Sequence, residues 1–175
     1  MLLNFKRDLE AAQEGERRVE MYFRGLTNKY DFKNVGSNPA YYHKGDILAI
    51  EKETGREICI EVKQDSRIAQ TGNVLLEDEV DYFGISTKKG NLHSDYEIYC
   101  VVSPQKQKIA VLDFKVLKKY YRNGTYKIIP HEDQVTFCYL LSLEEIERLG
   151  GVIAVIDYSK SVEVTYLKGE RKWLN

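Results

Sequence analysis

The sequence predicts one α/β domain, a mixed β-sheet flanked by helices, in which an N-terminal helix leads into a β-hairpin. Three observations point there. Apolar residues near the N-terminus recur at steps of three and four, two strand-length apolar runs follow around a Thr-Gly turn, and further strand-like runs alternate with short capped helical stretches. At 175 residues the chain is long enough to bury a sizeable core without disulfides or metal staples, and no repeat, linker or low-complexity segment divides it.

Residues 4–25 read as the first helix, with Asn4 as N-cap and Gly25 as the stop. Its stripe consists of Phe5, Leu9, Ala12, Val19, Phe23 and Leu26, with a gap at position 16. At about 100° per residue Glu16 projects from the centre of that stripe and Glu20 from its edge, so phase favours Glu16 as the carboxylate aimed at the core. Residues 30–35 form a strand, and "GSNPAYYHKG" supplies a loop of turn residues. Residues 46–51 and 57–63 make a hairpin around "KETGR", where Gly55 accepts positive φ. With Thr54 and Gly55 as the turn, Asp46 stands opposite Lys63.

Downstream, "GNVLLEDEV", "SDYEIYCVV", "KIAVLDF" and "QVTFCYL" read as strands, and "FKVLKKYYRNG" as a helix or helical turn ended by Asn123 and Gly124. "SLEEIERLGG" carries Ser142 and Glu145 in capping-box positions with Gly150 as terminator. The tail, "GVIAVIDYSKSVEVTYLKG", resembles a closing strand or hairpin, with Trp173 as a packing anchor beyond it.

Composition excludes several classes. The N-terminus has no signal-peptide pattern and no run approaches the roughly 18 apolar residues of a membrane span, so the chain reads as soluble, unexported and cytoplasmic. Cys59, Cys100 and Cys138 sit in apolar segments without ligand spacing and read as buried free thiols. His43, His93 and His131 are widely spaced loop residues that read as solvated rather than as metal ligands. The Tyr120–Tyr121 segment reads as core cover rather than a base-stacking platform. Acyl transfer, NTP hydrolysis and dinucleotide binding lack their signatures. A net charge of −1 gives no global field for nucleic acid, so such binding would rest on a local patch.

The charged residues of the hairpin are harder to set aside. Residues two apart on a strand share a face, so Glu61 and Lys63 project together, and the hairpin register places Asp46 with them. Surface ion pairs would contribute no more than about 1 kcal/mol each. Here, however, both runs are apolar, and a separate helix points Glu16 inward, where an unpartnered carboxylate would be costly. Hard oxygen ligands in an open arrangement suit Mg²⁺, which keeps several waters. Asp46 and Glu61 would be the main ligands, with the Val62 carbonyl and Glu16 completing the set. Lys63 would orient a water or stabilise developing negative charge, the chemistry of phosphodiester hydrolysis.

Glu16 in "EGERRVEMYF", Asp46 in "KGDILAI", and Glu61 with Lys63 in "ICIEVKQD" together resemble the PD-(D/E)XK nuclease superfamily over about residues 5–65. Gly45 stands where that pattern has Pro. The resemblance implies a restriction-endonuclease-like core and a Mg²⁺-dependent DNA endonuclease, with Mn²⁺ able to substitute. "TGNVLLE", "GISTKKG" and "SDYEIY" are in addition similar to small nuclease-like proteins of phages and mobile elements. That likeness implies that Gln64, Thr71, Asn73, Glu77 and Lys88 border the site, with Asn73 and Lys88 reaching the DNA backbone and Glu77 supporting the catalytic face. "GNLHSD" departs from it by a longer loop after Lys89. Recombination, repair or processing of branched DNA fits such a protein, and junction cleavage would need two active sites and hence a homodimer. The competing expectation is a non-catalytic nucleic-acid-binding or partner-binding module on the same fold.

Overall fold

A computed structural model describes residues 2–41, 44–159 and 163–166, and the side chains of residues 7–41 and 44–159. His43 and Trp173 fall outside them. The chain forms an α/β structure with two sheets and few helices. The elements are α1 (Leu2–Leu26), β1 (Tyr30–Asn34), β2 (Ile47–Glu51), β3 (Glu57–Gln64), α2 (Ile68–Thr71), β4 (Asn73–Asp81), β5 (Thr87–Lys89), β6 (Ile98–Ser103) and β7 (Lys108–Asp113). They continue with α3 (Phe114–Tyr120), β8 (Thr125–Pro130), β9 (Val135–Ser142), α4 (Leu143–Arg148), β10 (Val152–Asp157) and β11 (Glu163–Tyr166).

The larger sheet has the order β1-β2-β3-β6-β7-β10-β11 and is mixed: β3 and β6 are parallel, and the other neighbours are antiparallel. A parallel pair requires a long crossover. Here the crossover holds α2, β4 and β5, so part of the second sheet, the antiparallel β5-β4-β9-β8, is built between β3 and β6. The small sheet thereby comes to stand beside the C-terminal end of β3.

Two cores pack on opposite faces of the large sheet. Val19 and Phe23 of α1 meet Phe32, Ile47, Ile60 and Val102 in the first. Val74, Leu76 and Leu141 of the small sheet meet Tyr99, Leu112 and Phe114 in the second. Along β3 the alternation is strict, with Ile58, Ile60 and Val62 directed to the first core. Glu61 and Lys63 pair with Tyr99 and Val101, residues of the second core, and so stand on the face toward the small sheet.

Several expectations hold. Ser142 accepts the Glu145 N–H at 3.1 Å as the N-cap of α4, Gly150 takes positive φ, and the tail forms the β10–β11 hairpin. Tyr121 is core cover, packing edge-on against Tyr139. Cys100 and Cys138 are buried free thiols, although Cys59 is only half-buried.

Two expectations are corrected. Among the described side chains, the apolar stripe of α1 is buried only in its second half: Val19 and Phe23 are fully buried, whereas Leu9 is 47 % exposed and Ala12 is exposed. A helix of 25 residues is about 37 Å long, and ahead of Val19 and Phe23 it is allowed a close approach to the sheet by Gly15. A β-carbon there would lie 3.2 Å from Gln64 Cβ. The hairpin register also differs. The loop spans four residues, with Glu51 N donating to Arg56 and Gly55 N to Glu51, so Ile47 faces Ile60 and Asp46 does not face Lys63. Strand β8 escaped the sequence because Tyr126, Lys127 and Ile128 are exposed on an edge, without the alternation a buried face imposes. Among the described residues, no helix is long and apolar enough to cross a membrane.

Phe23→Ala should lower the unfolding free energy by about 3–5 kcal/mol, whereas Leu9→Ala should change it by less than about 1 kcal/mol. Urea denaturation of the two variants measures the difference.

Candidate active site

Asp46 is fixed from every side of its backbone. Its N–H donates to the Ile60 carbonyl at 2.9 Å, and its own carbonyl accepts from Val35 N at 2.8 Å and Gly36 N at 3.1 Å. Because Ile47 also faces Ile60, two consecutive residues share one partner, as in a β-bulge, and the Asp46 side chain is re-aimed. Its Oδ2 accepts the Val62 N–H at 2.8 Å. Gly45 makes this turn feasible: it sits at φ +80°, and a β-carbon would be 2.5 Å from the Ile60 carbonyl oxygen. The residue that replaces Pro in the sequence pattern is therefore held by sterics of its own.

An extended residue turns its N–H and C=O to the same side. The Val62 carbonyl accordingly points past the last ladder pair of β2 and β3, toward Asp46. The other Asp46 oxygen, Oδ1, faces Gly36. A β-carbon on Gly36 would lie 3.0 Å from Asp46 Oδ1 and 3.2 and 3.3 Å from the two oxygens of Glu16. The absent side chain thus leaves a small space bounded by two carboxylates. Glu16 is oriented by Asn34, whose Nδ2 donates to Oε2 at 2.9 Å, while Glu20 is engaged with Arg24 at 2.7 Å.

Glu61 is 7 % exposed and pairs with Lys63 Nζ at 3.3 Å. The Tyr96 hydroxyl also lies within hydrogen-bonding reach of Glu61. Behind this pair runs a buried polar chain: Asn91 Oδ1 accepts Glu77 N at 2.9 Å, Asn91 Nδ2 donates to the Tyr99 hydroxyl at 3.1 Å, and Tyr99 donates to the Leu75 carbonyl at 3.2 Å. Gly90 packs on the Glu77 backbone so closely that a β-carbon would meet Glu77 O at 2.3 Å. At this point the β4 register shifts between Glu77 and Glu79, and Gly90 N donates to the Asp78 carbonyl at 2.8 Å.

Three carboxylates carry raised pKa values. Burial raises Glu61 to about 7; Lys63 works against the shift and Asp46 adds to it. Burial also raises Asp46, although the Val62 N–H and Lys63 oppose it. Burial raises Glu16, against the donation from Asn34 and with the repulsion of Asp46. Desolvation disfavours the Lys63 ammonium, but Glu61 and Glu77 outweigh it and hold its pKa above the ordinary lysine value. Lys63 therefore stays a cation at neutral pH and acts as a charge or a donor rather than as a base.

Asp46, Glu61 and Lys63 line a cleft of 630 Å³ together with Glu77 and Lys88. Glu16 lines a neighbouring pocket of 220 Å³, and Gly36 belongs to both walls. Gln64 lies in a third cleft, of 430 Å³, which shares Lys63, Glu77, Gln134 and Thr136 with the first and continues it past Arg67 and His131. Asn73 is not brought to the first cleft: it starts β4 opposite Ser142, and Thr71 forms a turn with it by accepting its N–H at 3.2 Å. Sequence reasoning missed Gly36, Tyr96, Asn91 and Thr136, none of which has a spacing signal, because the fold joins them from separate loops and sheets.

The oxygens of the site could hold a small hard dication: Asp46 and Glu61 line one cleft, Asp46 Oδ1 stands across Gly36 from Glu16, and the Val62 backbone adjoins Asp46 through its N–H. Among the described residues, no three His, Cys, Asp or Glu side chains stand as a ready-made cluster. Such a site would keep several waters on its ion. Searches among protein-family models, curated proteins and solved structures find no match to this chain.

The folded protein holds a proton on Glu61 up to about pH 7, where the unfolded chain releases it near 4.5. The folded state thus binds more protons between these values, and Glu61 lowers stability as pH rises through that window. Glu61→Gln should therefore match the wild type near pH 4.5 and exceed it in Tm by several degrees at pH 8. Thermal unfolding at the two pH values tests the sign.

Proposed function

We propose that this chain is a metal-dependent DNA endonuclease of the PD-(D/E)XK type, with a restriction-endonuclease-like core formed by α1, the β2–β3 hairpin and β6. The observation that carries this reading is the convergence at one cleft of Asp46, Glu61 and Lys63, with Glu16 beyond Gly36, although the four come from two different elements and the loop between β1 and β2. Asp46, Glu61 and the Val62 carbonyl would hold Mg²⁺ or Mn²⁺, and Glu16 would hold its waters. The bound ion supplies a Lewis acid for the phosphoryl oxygen and a water of lowered pKa.

The remaining chemistry belongs to the protein. The Val62 N–H fixes one Asp46 oxygen so that the other is turned to the site. Tyr96 and Lys63 orient Glu61 from two directions. The persistently charged Lys63 ammonium, 3.3 Å from Glu61 and partly exposed to the cleft, is placed to attract the scissile phosphate and to stabilise negative charge as it develops. Lys88 and Lys89 on the cleft wall favour a polyanionic backbone. The continuation of the groove past Arg67 gives a strand somewhere to run.

Asp46→Ala and Lys63→Ala should each reduce cleavage of labelled duplex, flap and four-way-junction DNA in Mg²⁺ by at least about 10³-fold. Unchanged circular dichroism would exclude misfolding. Cleavage that survives both substitutions would sink the proposal.

Metal binding gives a second, independent measurement. A dication must displace the proton that Glu61 holds up to about pH 7, so Mn²⁺ should bind more tightly at pH 8 than at pH 6, with net proton release at pH 6. Calorimetric titration in buffers of different ionisation heat measures both. A protein that takes up no Mn²⁺ in an Asp46-dependent manner is the non-catalytic binding module instead.

A further inference from the structure

The hairpin between β4 and β5 ends in an apolar tip. Ile85 is 88 % exposed and Phe83 57 % exposed, among the largest apolar exposures in the described chain. The tip is not slack. Tyr82 N donates to Ser86 O at 2.9 Å, Ile85 N to Tyr82 O at 3.0 Å, and Gly84 N to Asp81 Oδ1 at 2.8 Å. Phe83 adopts φ +51°, a left-handed conformation that a side chain disfavours, and Gly84 follows at φ +76°. The turn therefore spends conformational strain to hold two large apolar side chains in water.

The rest of the hairpin belongs to the candidate active site. Val80, Tyr82, Thr87, Lys88 and Lys89 line the same 630 Å³ cleft as Asp46, Glu61 and Lys63. In its paired segment the two lysines border the cleft, while Glu79 and Asp81 are not part of its lining and Asp81 is turned onto Gly84 N; Glu77, farther along β4, is the hairpin's one acid on the lining. At about 3.4 Å per residue, Ile85 stands roughly 10 Å from Lys88. An occupant of this end must offer negative charge to the lysines and flat apolar surface to the tip. Nucleic acid offers both, phosphates along its backbone and base faces wherever the stack is opened, and apolar wedges of Phe and Ile are a known means of opening it.

We propose that residues 82–86 form a wedge that inserts Phe83 and Ile85 into the base stack where a duplex branches or frays, delivering one strand past Lys88 and Lys89 to the cleft. This deepens the nuclease reading and rests on it for the strand's destination. It assigns the substrate class as duplex DNA with a fork or junction rather than continuous duplex.

The test uses forked duplex DNA with 2-aminopurine in the last base pair before the fork, titrated with full-length protein in Ca²⁺, and binding followed by anisotropy. Wild type and Asp46→Ala should raise the 2-aminopurine fluorescence at least twofold. Phe83→Ser with Ile85→Ser should leave it at the level of free DNA. Ile85→Ser alone, at an almost fully exposed position, should reduce the rise while retaining the wild-type Tm, which guards against loss of fold. In Mg²⁺ the double variant should cut a forked substrate at least tenfold more slowly than wild type, and a substrate with the same bases already unpaired less than threefold more slowly.

Equal unstacking by wild type and double variant overturns the wedge, as does binding without any unstacking, or no binding at all. A dimer seen by sedimentation that the double variant dissolves also overturns it, and assigns the tip to a second copy of the chain. Failure of the nuclease reading looks different: fluorescence rises as described, yet no DNA is cut in Mg²⁺ or Mn²⁺.

Discussion

The hydrogen bond from the Val62 N–H to Asp46 Oδ2 is the contact on which the arrangement of the site depends. A charge-assisted bond of this kind fixes an orientation as well as adding energy. Here it ties the first residue before β2 to the middle of the Glu61-Val62-Lys63 triplet. It is attainable only because Gly45 turns the chain at φ +80° against the Ile60 carbonyl. Val35 and Gly36 donate to the Asp46 carbonyl in turn, so the same residue locates the loop after β1 and, through Asn34, the Glu16 carboxylate. Loss of the Gly45 turn would displace three strands' ends together.

The apolar strands explain why charges can gather here at all. Ile58, Ile60 and Val62 are locked into the core beneath α1, which leaves Glu61 and Lys63 no alternative face without flipping the whole strand. The β3-to-β6 crossover then decides what faces them. By building β4 and β5 inside that crossover, the chain walls a cleft over charges that a plain surface hairpin would leave in bulk water, and the Asn91–Tyr99–Leu75 chain stiffens that wall. Burial of Glu61 is thus a consequence of topology rather than of β3 itself.

Much of this was legible in the sequence, for identifiable reasons. Glu16, Glu61 and Lys63 follow from helical phase and strand parity, which are periodic, and periodic signals survive without knowledge of neighbours. Asp46 lines the cleft with Glu61 and Lys63, but not through the register that strand parity predicts. Parity put it opposite Lys63, whereas a four-residue loop shifts the register and a bulge re-aims the side chain. Turn length and bulges are set by a few backbone contacts, and residue types report them weakly. The small sheet was legible only in part, since β8 is an exposed edge and β5 is three residues long. Gly36 was invisible because its contribution is an empty volume between side chains from elsewhere. Asn73 stands outside the lining of the first cleft, and a resemblance along the chain does not say which end of β4 faces it.

The electrostatics of the cleft differ from those of a simple ion-pair network. Lys63 draws on Glu16, Asp46 and Glu61 alike, yet all three remain raised because burial outweighs one ammonium. A network selected for stability would set its carboxylates below their usual values, as Glu14, Glu51 and Glu145 are beside Arg or Lys elsewhere on this protein. The cleft does the opposite and keeps its acids short of positive charge. Without a further cation, burial favours the protonated form of these acids; the proposed dication would compete with those protons for the same oxygens. On the proposed reading, raised carboxylates around the space beside Gly36 would make the stability of the fold and the affinity for a hard cation respond to pH in opposite directions.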